Sequence, residues 1–277
     1  RVIDRARALG ITLFETADSY AHGAMERRLG QRLADDGSVR IATKIGTERD
    51  AGIPRKRFDV PYLKQSLAAC HERLAREVLD VVLLHNPSLE AVERGDAAAF
   101  LAEEVAAGRV RAWGVSAGEV AVARAAIAKG APVISLAYNV FHPRDLADLA
   151  GDVSTKEVGV LAHSVLAYGL LCGHWSAEKL FPEGDHRAER WTPDELRRRV
   201  RQLDALRPLV GGNVVTLRAA ALRWVLLNTD VSSAVLGPRS TLQLDQLVRE
   251  AGKGPPYLAD DKLVALTNRL RQVGVEV

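Results

Sequence analysis

Cysteine is nearly absent from this chain of 277 residues, with two in all, and there is a single methionine. Cys70 and Cys172 have no CxxC or Cys/His spacing, which excludes a disulfide framework and a structural zinc site and fits a reducing compartment. No apolar run approaches the roughly 18 residues of a spanning helix. The opening RVIDRARALG reads as a helix rather than a signal peptide, so the expectation is a cytoplasmic protein with no membrane partner. Low-complexity stretches are missing as well, and so is any large charge excess: the formal charge is +3. The densest basic run, ELRRRVRQ (195–202), has no interleaved aromatics and reads as the solvated face of a helix, which leaves nucleic acid out of the expected partners. No GxGxxG follows any strand-like run, which removes the main reason to expect a dinucleotide-binding open sheet.

What the sequence does contain is alternation. Seven short β-branched runs recur: ITLFETA (11–17), VRIATKI (39–45), VLDVVLLH (78–85), VRAWGVS (110–116), VISLAYN (133–139), GVLAHSV (159–165) and VSSAVLG (231–237). Between them lie segments with apolar residues at i, i+3, i+4 and i+7, such as AMERRLGQRLAD and YLKQSLAACHERLA. Alternation of this kind means parallel βαβ units, and without a glycine fingerprint a closed (β/α)8 TIM barrel is favoured over the open sheet. Eight strands are then expected, with the first lying before residue 1. No linker composition divides the chain, so residues 1–277 read as a single barrel domain. Two long connections, 46–60 and 170–195, follow strands and fall where barrel enzymes carry lids and specificity elements. Trp113 reads as core and Trp224 as the buried face of a helix.

Chemistry-bearing groups gather at strand ends. Glu15 and Tyr20 follow the first run, Lys44 closes the second and His85 the third, so all four can meet on one rim. A tyrosine titrates near 10 unless its phenolate is stabilised, which Lys44 can do. A buried lysine needs a carboxylate partner, and Glu15 or Asp18 can supply it. His85 can polarise a carbonyl oxygen. The set suits protonation of a carbonyl oxygen while a hydride reaches its carbon.

The stretch FETADSYAHGAMERRLG resembles the aldo-keto reductase family, and the resemblance continues in order through ATKIG, DVVLLHNP, GRVRAWGVS, AYNVFHPR, GLLCG and VLGPRSTLQLDQL. It implies a (β/α)8 barrel that binds NADP(H) without a Rossmann fold and reduces an aldehyde or ketone. By position, Tyr20 is the general acid, Lys44 lowers its pKa, His85 orients the carbonyl, and Glu15 replaces the family's aspartate. Ser116 and Ser135 fall at the carboxamide, His163 and Ser164 at the nicotinamide ring. Leu166, Gly169 and Gly237 line the cofactor path, Arg239 and Ser240 take the 2′-phosphate, and Gln243 lies toward the adenine. Three departures stand out. Ala117 replaces the usual asparagine, Ser135 the usual glutamine, and Gln246 and Leu247 the usual Glu-Asn pair. Glu15, Ala117 and Ser135 motivate an alternative expectation: a barrel that kept proton transfer but lost redox activity, acting as an isomerase, a lyase or a ligand-binding regulatory subunit. The expected substrate is a small carbonyl compound, polar or sugar-like, because Trp175, His186, Arg187, Arg190 and Trp191 on the 170–195 connection are cationic and aromatic. No metal is expected.

Overall fold

The computed structural model describes residues 1–49, 53–185, 187–255 and 257–276. The β-branched runs become strands: β1 (Leu13–Glu15), β2 (Arg40–Ile45), β5 (Leu79–His85), β6 (Val110–Ser116), β7 (Val133–Ala137), β8 (Gly159–His163) and β9 (Ser233–Ala234), with a small pair, β3 (Thr47–Glu48) and β4 (Arg55–Lys56), between β2 and β5. All seven sequence-expected strands are present, each within its expected segment. The seven form one sheet in the order β1-β2-β5-β6-β7-β8-β9, the order of the chain itself, as βαβ units of a barrel require. The pairings β1–β2, β2–β5, β5–β6 and β6–β7 are parallel. β3 and β4 pair antiparallel as a separate hairpin inside connection 46–60.

The chain divides into two compact units. The first holds residues 1–136, 148–161 and 239–241. Its central strands read as continuous apolar runs because they are covered on both faces. Val82, Leu83 and Leu84 on β5 and Ile41, Ala42 and Ile45 on β2 are all at most 2% exposed. Burying a leucine in this way contributes about 1.5–3 kcal/mol. Trp113 is core, as expected. The helix Ala24–Leu33 lies so close to Val60–Leu74 that a Cβ on Gly30 would stand 2.5 Å from the Arg73 carbonyl oxygen, so only glycine fits. In β6, a Cβ on Gly114 would stand 1.8 Å from the Val133 carbonyl oxygen of β7.

The strands' N-terminal ends in this unit are tied by one carboxylate. Asp80 accepts from the Ile41 amide at 3.0 Å and from Arg76 at 2.7 Å, and pairs with Arg111 of β6 at 3.3 Å and Arg40 of β2 at 3.6 Å. One buried acid thus ties the starts of β2, β5 and β6 together.

The second unit holds residues 137–147, 162–238 and 242–277. Its core joins Leu170, Leu206, Ala220 and Leu266 with other buried side chains of the same unit. Helix Pro193–Gln202 starts from a capping box, Thr192 with Glu195, and its Arg197 and Arg198 are exposed, as a solvated basic face should be. Trp224 of helix Leu217–Leu227 stacks on Tyr138 at 5.0 Å and is half-buried. No helix among the described residues is long and apolar enough to cross a membrane.

Candidate active site

Parallel strands present their C-terminal ends to one rim, and the first unit's ionisable groups collect there. Glu15 is the last residue of β1, Lys44 the penultimate residue of β2, His85 the last of β5, and Ser116 the last of β6. In the sheet His85 lies beside Ser116, and Ser116 beside Ser135 of β7. The loops leaving these ends carry left-handed backbone at residues with side chains, Ala21 and His22 after β1 and Asn86 after β5; in the second unit Ser164, Ala167 and Tyr168 do the same. Such conformations are held in place by the surrounding structure and cluster at functional sites.

Lys44 is the centre of the group. Its side chain is 3% exposed and forms an ion pair with Glu15, itself 9% exposed. The ammonium also donates to the Thr16 carbonyl at 3.0 Å and to the Tyr20 hydroxyl at 3.3 Å. Burial, with the nearby charge of Lys56 acting in the same sense, draws the Lys44 ammonium down from its usual range toward about 7. The Glu15 carboxylate opposes that and keeps the proton on Lys44. Between the two carboxylates that the sequence offers, the structure selects Glu15. Asp18 turns away to accept from Ser66 at 2.9 Å, and its buried Oδ1 meets no hydrogen-bond partner among the described residues. Its carboxyl is raised to about 6, mainly by burial.

Tyr20 is 42% exposed, so its hydroxyl meets Lys44 on one side while the ring remains accessible. The His85 ring stands edge-on to it with centroids 6.0 Å apart. His85 Nδ1 faces two hydroxyls, Thr47 Oγ1 at 3.4 Å and Ser19 Oγ at 3.5 Å. The ammonium of Lys56 donates to Thr47 Oγ1 at 2.8 Å and to the His85 carbonyl at 2.7 Å. Sequence reading missed Ser19, Thr47 and Lys56. The signal for Lys56 was the basic run PRKR, which reads by default as a solvated loop.

Behind the rim sits a second buried group. Glu26 is fully buried and accepts from Thr43 at 2.5 Å and from Arg73 at 2.6 Å. It fixes β2 against the helix Val60–Leu74 and so steadies the strand that carries Lys44.

Of the remaining expected site residues, Ser116, Ser135, Arg239 and Ser240 belong to the first unit, and His163, Ser164, Leu166, Gly169, Gly237 and Gln243 to the second. Ser135 is fully buried, and its hydroxyl has no hydrogen-bond partner among the described residues. His163 Nδ1 and Ser164 Oγ are 3.0 Å apart. Leu247 is buried and Gln246 accepts from Arg218 at 3.4 Å, so both of these departures are engaged within the fold. The expected lid residues are occupied with one another. Trp175 packs against Phe181 and Trp191 at 5.0 and 5.6 Å, Arg190 lies 3.9 Å from the Tyr168 ring, and Arg187 pairs with Asp185. His186 lies outside the described residues. Among the described residues, no group of three or more His, Cys, Asp or Glu is placed to hold a metal ion.

Residues 1–253 match the Aldo/keto reductase family. The chain belongs to that family. An uncharacterized oxidoreductase of Mycobacterium tuberculosis (strain ATCC 25618 / H37Rv) is 31% identical over 249 residues, covering 88% of this chain and 74% of the relative. A Schizosaccharomyces pombe protein named as an aldo-keto reductase for NADP(+) is 24% identical, covering 88% of this chain and 75% of its own. The solved glycerol dehydrogenase AKR11B4 of Gluconobacter oxydans superposes with a TM-score of 0.81 at 23% identity, over 100% of this chain and 86% of that one. With family and strand order in agreement, this aldo-keto reductase family oxidoreductase has the fold of the (β/α)8 barrel class, seven strands of which are described.

Proposed function

We propose that this chain is an NADP(H)-dependent carbonyl reductase that converts an aldehyde or ketone to its alcohol. The observation that carries the reading is the chain Glu15–Lys44–Tyr20, in which a buried carboxylate holds a proton on a buried lysine whose ammonium lies 3.3 Å from a half-exposed phenol. An ammonium at that distance stabilises phenolate, which suits a general acid. Tyr20 then gives its proton to the carbonyl oxygen, and Lys44 stabilises the phenolate left behind. His85 orients the same oxygen by hydrogen bonding. The bound nicotinamide supplies the hydride.

Ser116, the unpartnered Ser135 hydroxyl, His163 and Ser164 fit the nicotinamide end of the cofactor. Leu166, Gly169 and Gly237 fit its course. Arg239 and Ser240 immediately precede the helix Thr241–Ala251, and a guanidinium at a helix N-terminus suits a 2′-phosphate. Gln243, the third residue of that helix, suits the adenine end. The reading favours a small polar or sugar-like carbonyl compound as substrate.

The test is direct. Purified protein should quench its tryptophan fluorescence on NADPH addition and consume NADPH with an aldehyde panel that includes glyceraldehyde. Tyr20→Phe should lower kcat at least about 100-fold, the usual scale of a lost general acid, while leaving the quench intact. No quench at millimolar NADPH sinks the reading. A second reading, proton transfer without redox chemistry, is favoured by Ala117 and by the burial of Leu247, which remove ligand groups from the family's set. It predicts no NADPH oxidation with any aldehyde despite a folded Lys44–Tyr20 pair.

A further inference from the structure

The hairpin β3–β4 lies outside the family's proton-transfer set, yet it touches His85 twice. We infer that Thr47 and Lys56 are positioning residues that hold His85 neutral with its proton on Nε2.

The argument follows the direction of each hydrogen bond. At the contacts of Nδ1 with Thr47 Oγ1 (3.4 Å) and Ser19 Oγ (3.5 Å), geometry alone leaves the donor open. Lys56 decides it. An ammonium only donates, and this one donates to Thr47 Oγ1 at 2.8 Å. Thr47 is buried, so its own proton needs an acceptor, and Nδ1 is the acceptor the structure places within reach. The reverse arrangement, with Nδ1–H donating, would give the threonine oxygen two donors and leave its proton facing neither of those partners. Ser19 can donate to the same nitrogen. With Nδ1 accepting, the ring proton sits on Nε2.

Charge works in the same sense. Lys56 is anchored to the His85 carbonyl at 2.7 Å, so a cation stands one hydroxyl away from the imidazole and disfavours a second positive charge there. Among the described residues, the titratable and charged groups on the neighbouring elements include Tyr20 and Asp18 after β1, Lys44 on β2, Arg49 after β3 and Lys56 on β4. Among the described carboxylates, Glu15 pairs with Lys44, and Asp18 accepts from Ser66 and attracts Lys56. A neutral Nε2–H donor can polarise a carbonyl oxygen, whereas the Nδ1–H tautomer would present a lone pair to it. The purpose of the device rests on the reductase reading; the protonation state itself does not.

The test uses the full chain labelled with nitrogen-15 and a long-range proton–nitrogen correlation of its seven histidines, the His85 signal being assigned by its loss in His85→Asn. The expected wild-type pattern is protonated Nε2 with bare Nδ1, and a titration midpoint below the ordinary value of about 6.5. Lys56→Met should raise that midpoint by about one unit, the scale of a removed charge several ångströms away, and Lys56→Arg should restore it. Thr47→Val should give mixed tautomers and lower kcat by about tenfold with KM little changed, the signature of an interaction that matters after binding. An Nδ1–H tautomer in the wild-type protein overturns the proposal without any variant, as does an unchanged midpoint in a folded Lys56→Met. Absence of all NADPH turnover would defeat the reductase reading while leaving the tautomer spectrum to decide this one.

Discussion

Replacing Glu15 by glutamine removes one charge and keeps the shape. In the structure that charge is the counter-ion of a lysine only 3% exposed, already drawn down by burial and by Lys56. An ion pair at about 4 Å and an effective dielectric of about 20 is worth about 4 kcal/mol, or about three pKa units. Without it, burial prevails and Lys44 goes neutral below working pH. A neutral amine no longer stabilises phenolate, so kcat/KM for aldehyde reduction should fall by about 100- to 1,000-fold at pH 7.5 in a stopped NADPH-oxidation assay. The alkaline limb of the pH–rate profile should move at least about one unit toward acid, so part of the activity returns at lower pH. Stability carries the same information with a definite sign. A lysine depressed in the folded state binds its proton more readily in the unfolded chain, so stability rises with pH between the folded value, about 7 or below, and 10.5. Glutamine at position 15 lowers the folded value further, so urea melts of the variant should gain relative to wild type as pH rises toward about 7 and run parallel to it above that. Glu15→Asp, which restores a carboxylate one methylene shorter, should stay within about tenfold of wild-type activity. A Glu15→Gln enzyme with kcat/KM within about twofold of wild type and an unmoved alkaline limb would refute the assignment of Glu15 as the group that keeps Lys44 charged.

Other outcomes follow from single contacts. Gly114→Ala sets a methyl against the Val133 carbonyl, where 1.8 Å is available, and should cost more than about 4 kcal/mol in urea unfolding or abolish soluble expression. Asp18→Asn removes a carboxyl whose folded value, about 6, lies above its unfolded 3.8, so the wild-type charge opposes folding increasingly as pH rises from about 4 to about 6. The variant should gain about 1–2 kcal/mol at pH 7 and nothing at pH 4, measured by denaturant melts at both values. Arg239→Ala should raise KM for NADPH at least about tenfold and leave KM for NADH nearly unchanged, since a lost guanidinium–phosphate pair acts only on the phosphorylated cofactor.

The sheet was legible because its strands are buried on both faces and therefore written as unbroken apolar runs. β5, with LDVVLLH, could hardly be read otherwise. The hairpin β3–β4 was not legible, since two-residue strands built from Thr47, Glu48, Arg55 and Lys56 contain no period to detect. The active-site residues themselves were conspicuous, a lysine at the end of an apolar strand above all. Their pairing was not. Glu15 and Asp18 are three residues apart, and only the register of β1 on β2, with Glu15 beside Ala42, decides which of them meets Lys44. Lys56 shows the limit most clearly: in PRKR it resembles its solvated neighbours Arg55 and Arg57, and what distinguishes it is a carbonyl and a hydroxyl contributed from elsewhere in the fold.

The Asp80 cluster gives this arrangement a history as well as a geometry. One carboxylate ties β2, β5 and β6 at the end of the sheet remote from Lys44 and His85, so the scaffold's integrity is settled far from where reactions are selected. A lineage built this way can try substitutions at its reactive rim while the cost of each trial stays local. Variation at Glu15 is the kind of change that such a division permits, and the search for new activities in this protein belongs at that rim, with Asp80 and its arginines left untouched.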